Sequence, residues 1–329
     1  MSGSEHAFVT LLALLAGLFS GDKGPTPALI KVPEALADRS ATIEPSGIVW
    51  SAALGRYLVV SDDTGDSDNH HQPWLLAMTR DGAFDEEPVP ILGVDEVNDG
   101  ESICAGPNGM FFLTTSHSLN LRGRSVPTRQ MLLLLKVEGR TLRVEGRVDL
   151  TSARAADGRG SLLEIAGLPR NGHLDIEAVT YRDKALLIGL KAPLSERDGA
   201  VILRLEDPVA ALRAKQIPPG AVTRLWEVSL HVTKHRIPQG IADFTSLPDG
   251  SMVLVANSPK GRKEDRGGAL YWYRPGAGEA QLLRRFKELH PEGVTLDPDG
   301  KSLVVVFDNN TGPPMWVRWP VPVPIQGMN

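Results

Sequence analysis

The chain has 329 residues, 42% of them hydrophobic, with 33 glycines and 25 prolines, so it can bury a large core while turning often. A formal net charge of −5 leaves no strongly basic surface to neutralise phosphates, which argues against a nucleic-acid partner. The single cysteine, Cys104, excludes an intramolecular disulfide, has no Cys/His cluster that would make a zinc site, and reads as a small buried apolar residue.

The first predicted element is an apolar run from Ala7 to Phe19, closed by Ser20-Gly21-Asp22. Its length suits a signal-peptide core and is short for a membrane span, so residues 1–24 are expected to be a signal peptide and the protein periplasmic or secreted. Met1 to His6 carries Glu5 and neither Lys nor Arg, and no A-x-A pattern precedes Ser20, so a docked or frayed N-terminal helix stays open as the alternative. No later segment is long and apolar enough to span a bilayer.

From residue 28 onward the apolar residues come in short bursts: Tyr57-Leu-Val-Val-Ser61, Met110-Phe-Phe-Leu-Thr114, Ala185-Leu-Leu-Ile-Gly189, Met252-Val-Leu-Val-Ala256 and Leu303-Val-Val-Val-Phe307. Runs of this length and composition, bounded by turn residues, predict buried strands. Gly106-Pro-Asn-Gly109, Leu247-Pro-Asp-Gly250 and Asp297-Pro-Asp-Gly300 predict hairpin corners before them.

Each corner is preceded by a short strand with a carboxylate at its start, at Glu44, Glu101, Glu177, Asp243 and Glu292. These lie 57, 76, 66 and 49 residues apart (44 to 101, 177, 243 and 292), room for one four-stranded blade each. The second strands end in Asp62, Thr115, Lys191, Asn257 and Asp308. The pattern predicts an all-β fold, a single β-propeller over residues 28–325 with about five blades and six still compatible. A strand from Ala28 to Glu34 is expected to close the ring. The polar stretch Thr151 to His173 reads as an inserted loop, and Asp207-Pro208 opening a run to Lys215 reads as a short capped helix.

In a propeller the innermost strands line one axis, so the five carboxylates are expected to converge. Two carboxylates ~6 Å apart repel by roughly 3 kcal/mol at an effective dielectric of 20. Such a cluster takes up protons, gathers cationic side chains or binds a cation. Glu44, Glu101, Glu177, Asp243 and Glu292 are therefore the candidate metal ligands. The oxygen-only set favours calcium, with magnesium as the alternative. Asp62, Asn257 and Asp308 are candidate substrate contacts, and Lys191, His235, Arg236 and His290 are candidates for a metal-free salt-bridge network. The stretch Asp62 to His71 lacks EF-hand spacing and reads as a solvated loop at the mouth, and Lys260, Arg262, Lys263 and Arg266 read as a polar hairpin tip.

Three of these segments carry a resemblance: Glu44-Pro-Ser-Gly-Ile48 with Ser61-Asp62-Asp63, Asp175-Ile-Glu-Ala-Val-Thr180 with Leu187-Ile-Gly-Leu-Lys-Ala-Pro193, and His290-Pro-Glu-Gly-Val294 with Phe307-Asp-Asn309. From about residue 40 the sequence resembles the bacterial esterase-like phytase family and related propellers of unknown function, including the quorum-regulator-controlled family. The resemblance implies a calcium-dependent, usually exported propeller, with phosphoester or ester hydrolysis as its activity. In propeller phytases calcium ions at the mouth bridge acidic residues and bind substrate phosphate, and by match of motif Glu44, Glu177 and Glu292 are the metal-facing positions. The sequence departs from the pattern at Asp243, where a glutamate is expected, and at Lys191, where relatives often carry arginine.

No G-x-S-x-G elbow, H-E-x-x-H helix, phosphate loop or dinucleotide fingerprint is present, so an enzymatic reading rests on metal chemistry. On that reading Glu177 and Lys191 are the catalytic residues, a ring carboxylate activates water, and a monomer acts on a small-molecule ester or phosphoester. The alternative is a non-catalytic periplasmic propeller that binds a ligand or protein and uses the metal structurally. A metal-free lactonase-like or sugar-binding mouth is a third.

Overall fold

The apolar bursts form the second strands of five four-stranded blades, the first two joined at their outer strands by a short parallel pairing of Ile91 and Leu92 with Leu142 and Arg143, and the acidic segment before each corner forms the first strand. The computed structural model describes residues 24–322 except 40–42, 63, 68–69, 121, 232–236, 258–266 and 310–311. The expected signal segment up to residue 23, His235, Arg236 and the basic hairpin tip therefore lie outside the described residues.

From the axis outward the first blade is Pro45–Ser51, Arg56–Ser61, Trp74–Met78 and Val89–Leu92, and the second is Gly100–Ala105, Met110–Thr115, Leu132–Glu138 and Thr141–Val148. The third is Asp175–Arg182, Ala185–Ala192, Ala200–Glu206 and Val222–Val228, and the fourth is Gly240–Ser246, Met252–Asn257, Gly267–Tyr273 and Gln281–Lys287. The fifth takes His290–Leu296, Ser302–Asp308 and Met315–Pro320 from the C-terminal part of the chain and its outermost strand, Ala28–Leu29, from the other end. The five inner strands touch in cyclic order, each against the next and the fifth against the first. This is a five-bladed β-propeller closed by the N-terminal strand, with Ala28 opposite Trp316 and Leu29 opposite Met315.

The second strands are continuous apolar runs because a neighbouring blade covers each of their faces. Alternate residues face opposite neighbours: Leu58 and Val60 pack toward the second blade, while Tyr57 and Val59 pack toward the fifth. The core is accordingly five wedges, one per blade interface. The closing interface carries a polar latch. Asp297, 1% exposed, accepts from the Tyr57 hydroxyl, from Arg80 Nη2 at 2.5 Å and from Arg318 Nη2 at 3.0 Å.

The insertions follow their local signals. Helix Pro208–Ala214 starts after Asp207, whose side chain accepts from the Ala210 amide at 3.4 Å. The 151–173 stretch holds a four-residue helix, Leu162–Ile165, capped reciprocally by Ser161 and Glu164. The acidic stretch after Asp62, expected as a solvated loop, instead includes a small hairpin of Gly65–Ser67 and His70–His71.

One irregularity repeats in every blade. The pairing of the first strand with the second slips by one residue near the mouth, leaving Ser46, Glu101, Glu177, Ala242 and Glu292 as the unpaired residues in blades one to five. A bulge of this kind re-aims the extra side chain and tightens the local twist.

Candidate metal centre at the acidic mouth

The bulges give the register by which the blades compare. Glu101, Glu177 and Glu292 occupy the bulge position of their blades, Ser46 and Ala242 that of the other two. Two residues earlier stand Glu44, Asp99, Asp175, Gly240 and His290. Beside these on the second strand lie Asp62, Ser116, Asn257 and Asp308, the Asp62 and Ser116 amides donating to the Glu44 and Asp99 carbonyls. In the third blade a further slip sets Lys191 between two paired residues.

This register corrects three of the sequence alignments, the first being Glu44, which stands two residues before the bulge that Ser46 holds and so matches Asp99 and Asp175 rather than Glu101 and Glu177. Asp243 is not the counterpart of Glu177; it stands one residue further along its strand, and Ala242 holds the bulge. Its carboxylate, 1% exposed, is already engaged: Oδ1 accepts from Ser102 Oγ and Oδ2 from the Val294 amide, each at 2.8 Å. Ser102 Oγ in turn accepts from the Val179 amide at 3.2 Å. Blades two and four are not neighbours, so the Asp243–Ser102 bond crosses the axis and plugs the channel below the mouth. Beneath it a cavity of about 240 Å3 opens at the other end, lined by Val49, Cys104, Thr180, Thr245 and Thr295 among others. Thr115, similarly, yields its expected place to Ser116.

Above the plug, carboxylates crowd. One oxygen each from Glu101, Asp175 and Glu177 lies within 4.8 Å of the others. Asp175 belongs to this set although the sequence reading passed over it, as it passed over Asp99, which Arg129 and Ser118 contact. The signal for both was the Asp-x-Glu spacing of Asp99-Gly-Glu101 and Asp175-Ile-Glu177. Lys191 Nζ sits 2.6 Å from Glu177 Oε1. The other oxygen, Glu177 Oε2, is buried with no hydrogen-bond partner, and Glu177 as a residue is 5% exposed. Asp62 Oδ1 and Asn257 Oδ1 are also buried without a partner, while Asn257 Nδ2 donates to the Pro291 carbonyl at 2.8 Å.

The electrostatics follow from this crowding. Burial, then the negative charges of Glu177, Asp99 and Asp175, hold the Glu101 carboxyl well above the usual range. Burial raises Glu177 despite the opposing pull of Lys191. Burial and the facing Asp308 push Glu292 up to about 7, with Lys191 opposing, and burial pushes Asp175 up to about 6. Asp62 is raised by burial and by Glu44, with which it shares a hydrogen bond. Burial alone would lower the Lys191 ammonium, but Glu177, Glu292, Glu101 and Asp175 together outweigh it and raise it. Among the described residues the cations that oppose these shifts are chiefly Lys191 and Arg129, and burial outweighs them at each of the four carboxyls.

The donor set fits a hard divalent cation. Oxygens bound to one calcium at about 2.4 Å lie at most about 4.8 Å apart, the span that Glu101, Asp175 and Glu177 meet. The orphaned Glu177 Oε2 is the buried acceptor that such an ion would satisfy.

No protein-family model matches the chain, and no curated protein matches it. Among solved structures, a GH43 β-1,3-galactosidase with bound galactodeoxynojirimycin aligns at TM-score 0.52 and 10% identity over 87% of this chain and 92% of that one. A hypothetical protein from Leishmania major aligns at TM-score 0.51 and 10% identity over 96% and 97%. A luciferin-regenerating enzyme aligns at TM-score 0.42 and 11% identity over 90% and 96%. The first two, with TM-scores above 0.5, share the overall architecture, and at these identities they bear on the fold alone.

Proposed function

We propose that the mouth binds a divalent cation, calcium in preference to magnesium, and that the protein is a metal-dependent hydrolase of small ester or phosphoester substrates. Two observations carry this reading: one oxygen each of Glu101, Asp175 and Glu177 lie within 4.8 Å of one another, and Glu177 Oε2 is buried without a hydrogen-bond partner. The resemblance of the 44–48, 175–180 and 290–294 segments to the esterase-like phytase family supports the substrate class, and a monomer acting in the periplasm or outside the cell fits that family. Glu101, Asp175 and Glu177 would hold the ion, with Glu44 and Glu292 supplying further negative charge around it.

A bound divalent ion supplies the positive charge that polarises a carbonyl or phosphoryl oxygen. The chain's own groups do the rest. Lys191 uses one ammonium hydrogen on Glu177 and has others to offer an anionic oxygen of the substrate. Glu292, whose carboxyl is held above the usual range by burial, would be the ring carboxylate that takes a proton from water. Asp62 and Asp308 at the second-strand ends would be substrate contacts in this reading, while Asn257, 2% exposed and donating to the Pro291 carbonyl, would support the mouth from behind.

The Lys191–Glu177 pair also favours a second reading, since a resident ammonium lets the mouth persist as a scaffold: a non-catalytic periplasmic propeller that binds a ligand or protein around a structural ion. Elemental analysis, calcium calorimetry and a panel of phosphate and carboxylate esters separate the two. The hydrolase reading expects about one or more calcium ions per chain and calcium-dependent turnover that Glu177→Gln abolishes while folding is retained. Calcium uptake with no turnover on any ester leaves the scaffold, and no uptake of calcium or magnesium removes both.

A further inference from the structure

We infer that Glu177 is a shared carboxylate, its Oε1 held by Lys191 and its Oε2 open to the divalent cation, so that the ion joins the site without displacing the lysine. The inference rests on the metal reading above and specifies how that site is regulated. Three observations carry it. The two oxygens of Glu177 have different surroundings: Nζ of Lys191 lies 2.6 Å from one, and the other is buried with no partner. The oxygens of Glu101 and Asp175 gather within 4.8 Å of Glu177, so a cation there completes a set that Lys191 leaves incomplete. The backbone of Lys191 is also pinned, because a Cβ on Gly240 would lie 2.0 Å from the Lys191 carbonyl, so the first strand of the fourth blade packs directly on it.

A resident ammonium in this place has two opposed effects. It offsets part of the carboxylate repulsion when no metal is present, and it opposes the arrival of a second positive charge a few ångströms away. Removing it should therefore weaken the metal-free protein and strengthen its grip on calcium.

The test is calorimetric calcium titration of the chelator-stripped full chain, wild type against Lys191→Met and Lys191→Arg, with the melting temperature followed in chelator and in calcium. Lysine ammonium resonances of the wild type are recorded by proton–nitrogen correlation before and after calcium. Sharing expects a protected Lys191 ammonium signal in both states of the wild type. It also expects calcium affinity at least about tenfold higher in Lys191→Met, a lower metal-free melting temperature in that variant, and affinity within about threefold of wild type in Lys191→Arg. Loss of the Lys191 signal on adding calcium means displacement and overturns the inference. Equal affinities of wild type and Lys191→Met overturn it while leaving the metal reading intact, whereas no calcium uptake by either protein overturns the metal reading and the inference with it. Should Lys191→Met fail to fold even in calcium, the wild-type ammonium spectra decide between sharing and displacement.

Discussion

Asp243 and Glu177 are both buried acids on inner strands, yet the groups around them differ in kind. Asp243 receives a hydroxyl and an amide, one on each oxygen, while Glu177 receives an ammonium on one oxygen and nothing on the other. An amide in place of Asp243 keeps one acceptor and turns an NH2 toward a donor, leaving that donor unsatisfied at a cost of about 1 to 3 kcal/mol. Asp243→Asn should thus lower the melting temperature by several degrees with calcium affinity close to wild type. Glu177→Gln should do the reverse, sharply weakening calcium binding with a modest change in melting temperature. Calorimetry and thermal denaturation of the two variants side by side check both statements.

At the scale of elements, the mouth depends on how closely the inner strands approach. A Cβ at Gly47 would meet the Glu101 carbonyl at 2.7 Å and Ser102 Cα at 2.8 Å, and one at Gly293 would meet Gly47 Cα at 3.0 Å. These neighbours are backbone and cannot swing aside, so an added methyl must push strands apart. Gly47→Ala is expected to cost about 2 kcal/mol, read as a lowered denaturation midpoint at unchanged slope. Because the shift falls beside Glu101, weaker calcium binding should accompany it.

At the scale of the whole molecule, the ring is held by its closing interface and strained by its charge. Asp297→Ala leaves the buried Tyr57 hydroxyl without its acceptor and unties Arg80 and Arg318, which belong to the first and last blades. The loss should be about 2 kcal/mol from the hydroxyl alone, and limited proteolysis should cut first near the Ala28–Leu29 closing strand. The acidic mouth makes stability depend on pH. Asp175 and Glu292 titrate at about 6 and about 7 in the fold, above their unfolded values, so between those limits the folded state binds more protons than the unfolded chain. Stability of the metal-free protein should therefore fall as pH rises from about 4.5 to 7.5. Calcium, which takes the deprotonated carboxylates, should remove most of that slope. Melting curves across this range in chelator and in calcium measure it, and a metal-free stability rising with pH would contradict it.

Much of this architecture was written locally. The apolar second strands, the Pro-Asp-Gly corners and the Asp207-Pro208 helix start are short-range signals, and their repetition specified blades of four strands and a mouth bearing Glu101, Glu177 and Glu292. What the local pattern does not encode is the bulge register, because a one-residue slip is chosen by how five strands pack around a common axis. That slip moved Asp243 out of the acid cluster and into the plug, and it brought Asp175 in beside Glu101 and Glu177. It also set Lys191 on one oxygen of Glu177 and left the other without a hydrogen-bond partner, a difference between two atoms of one side chain that the slipped register inside the third blade's own hairpin decides.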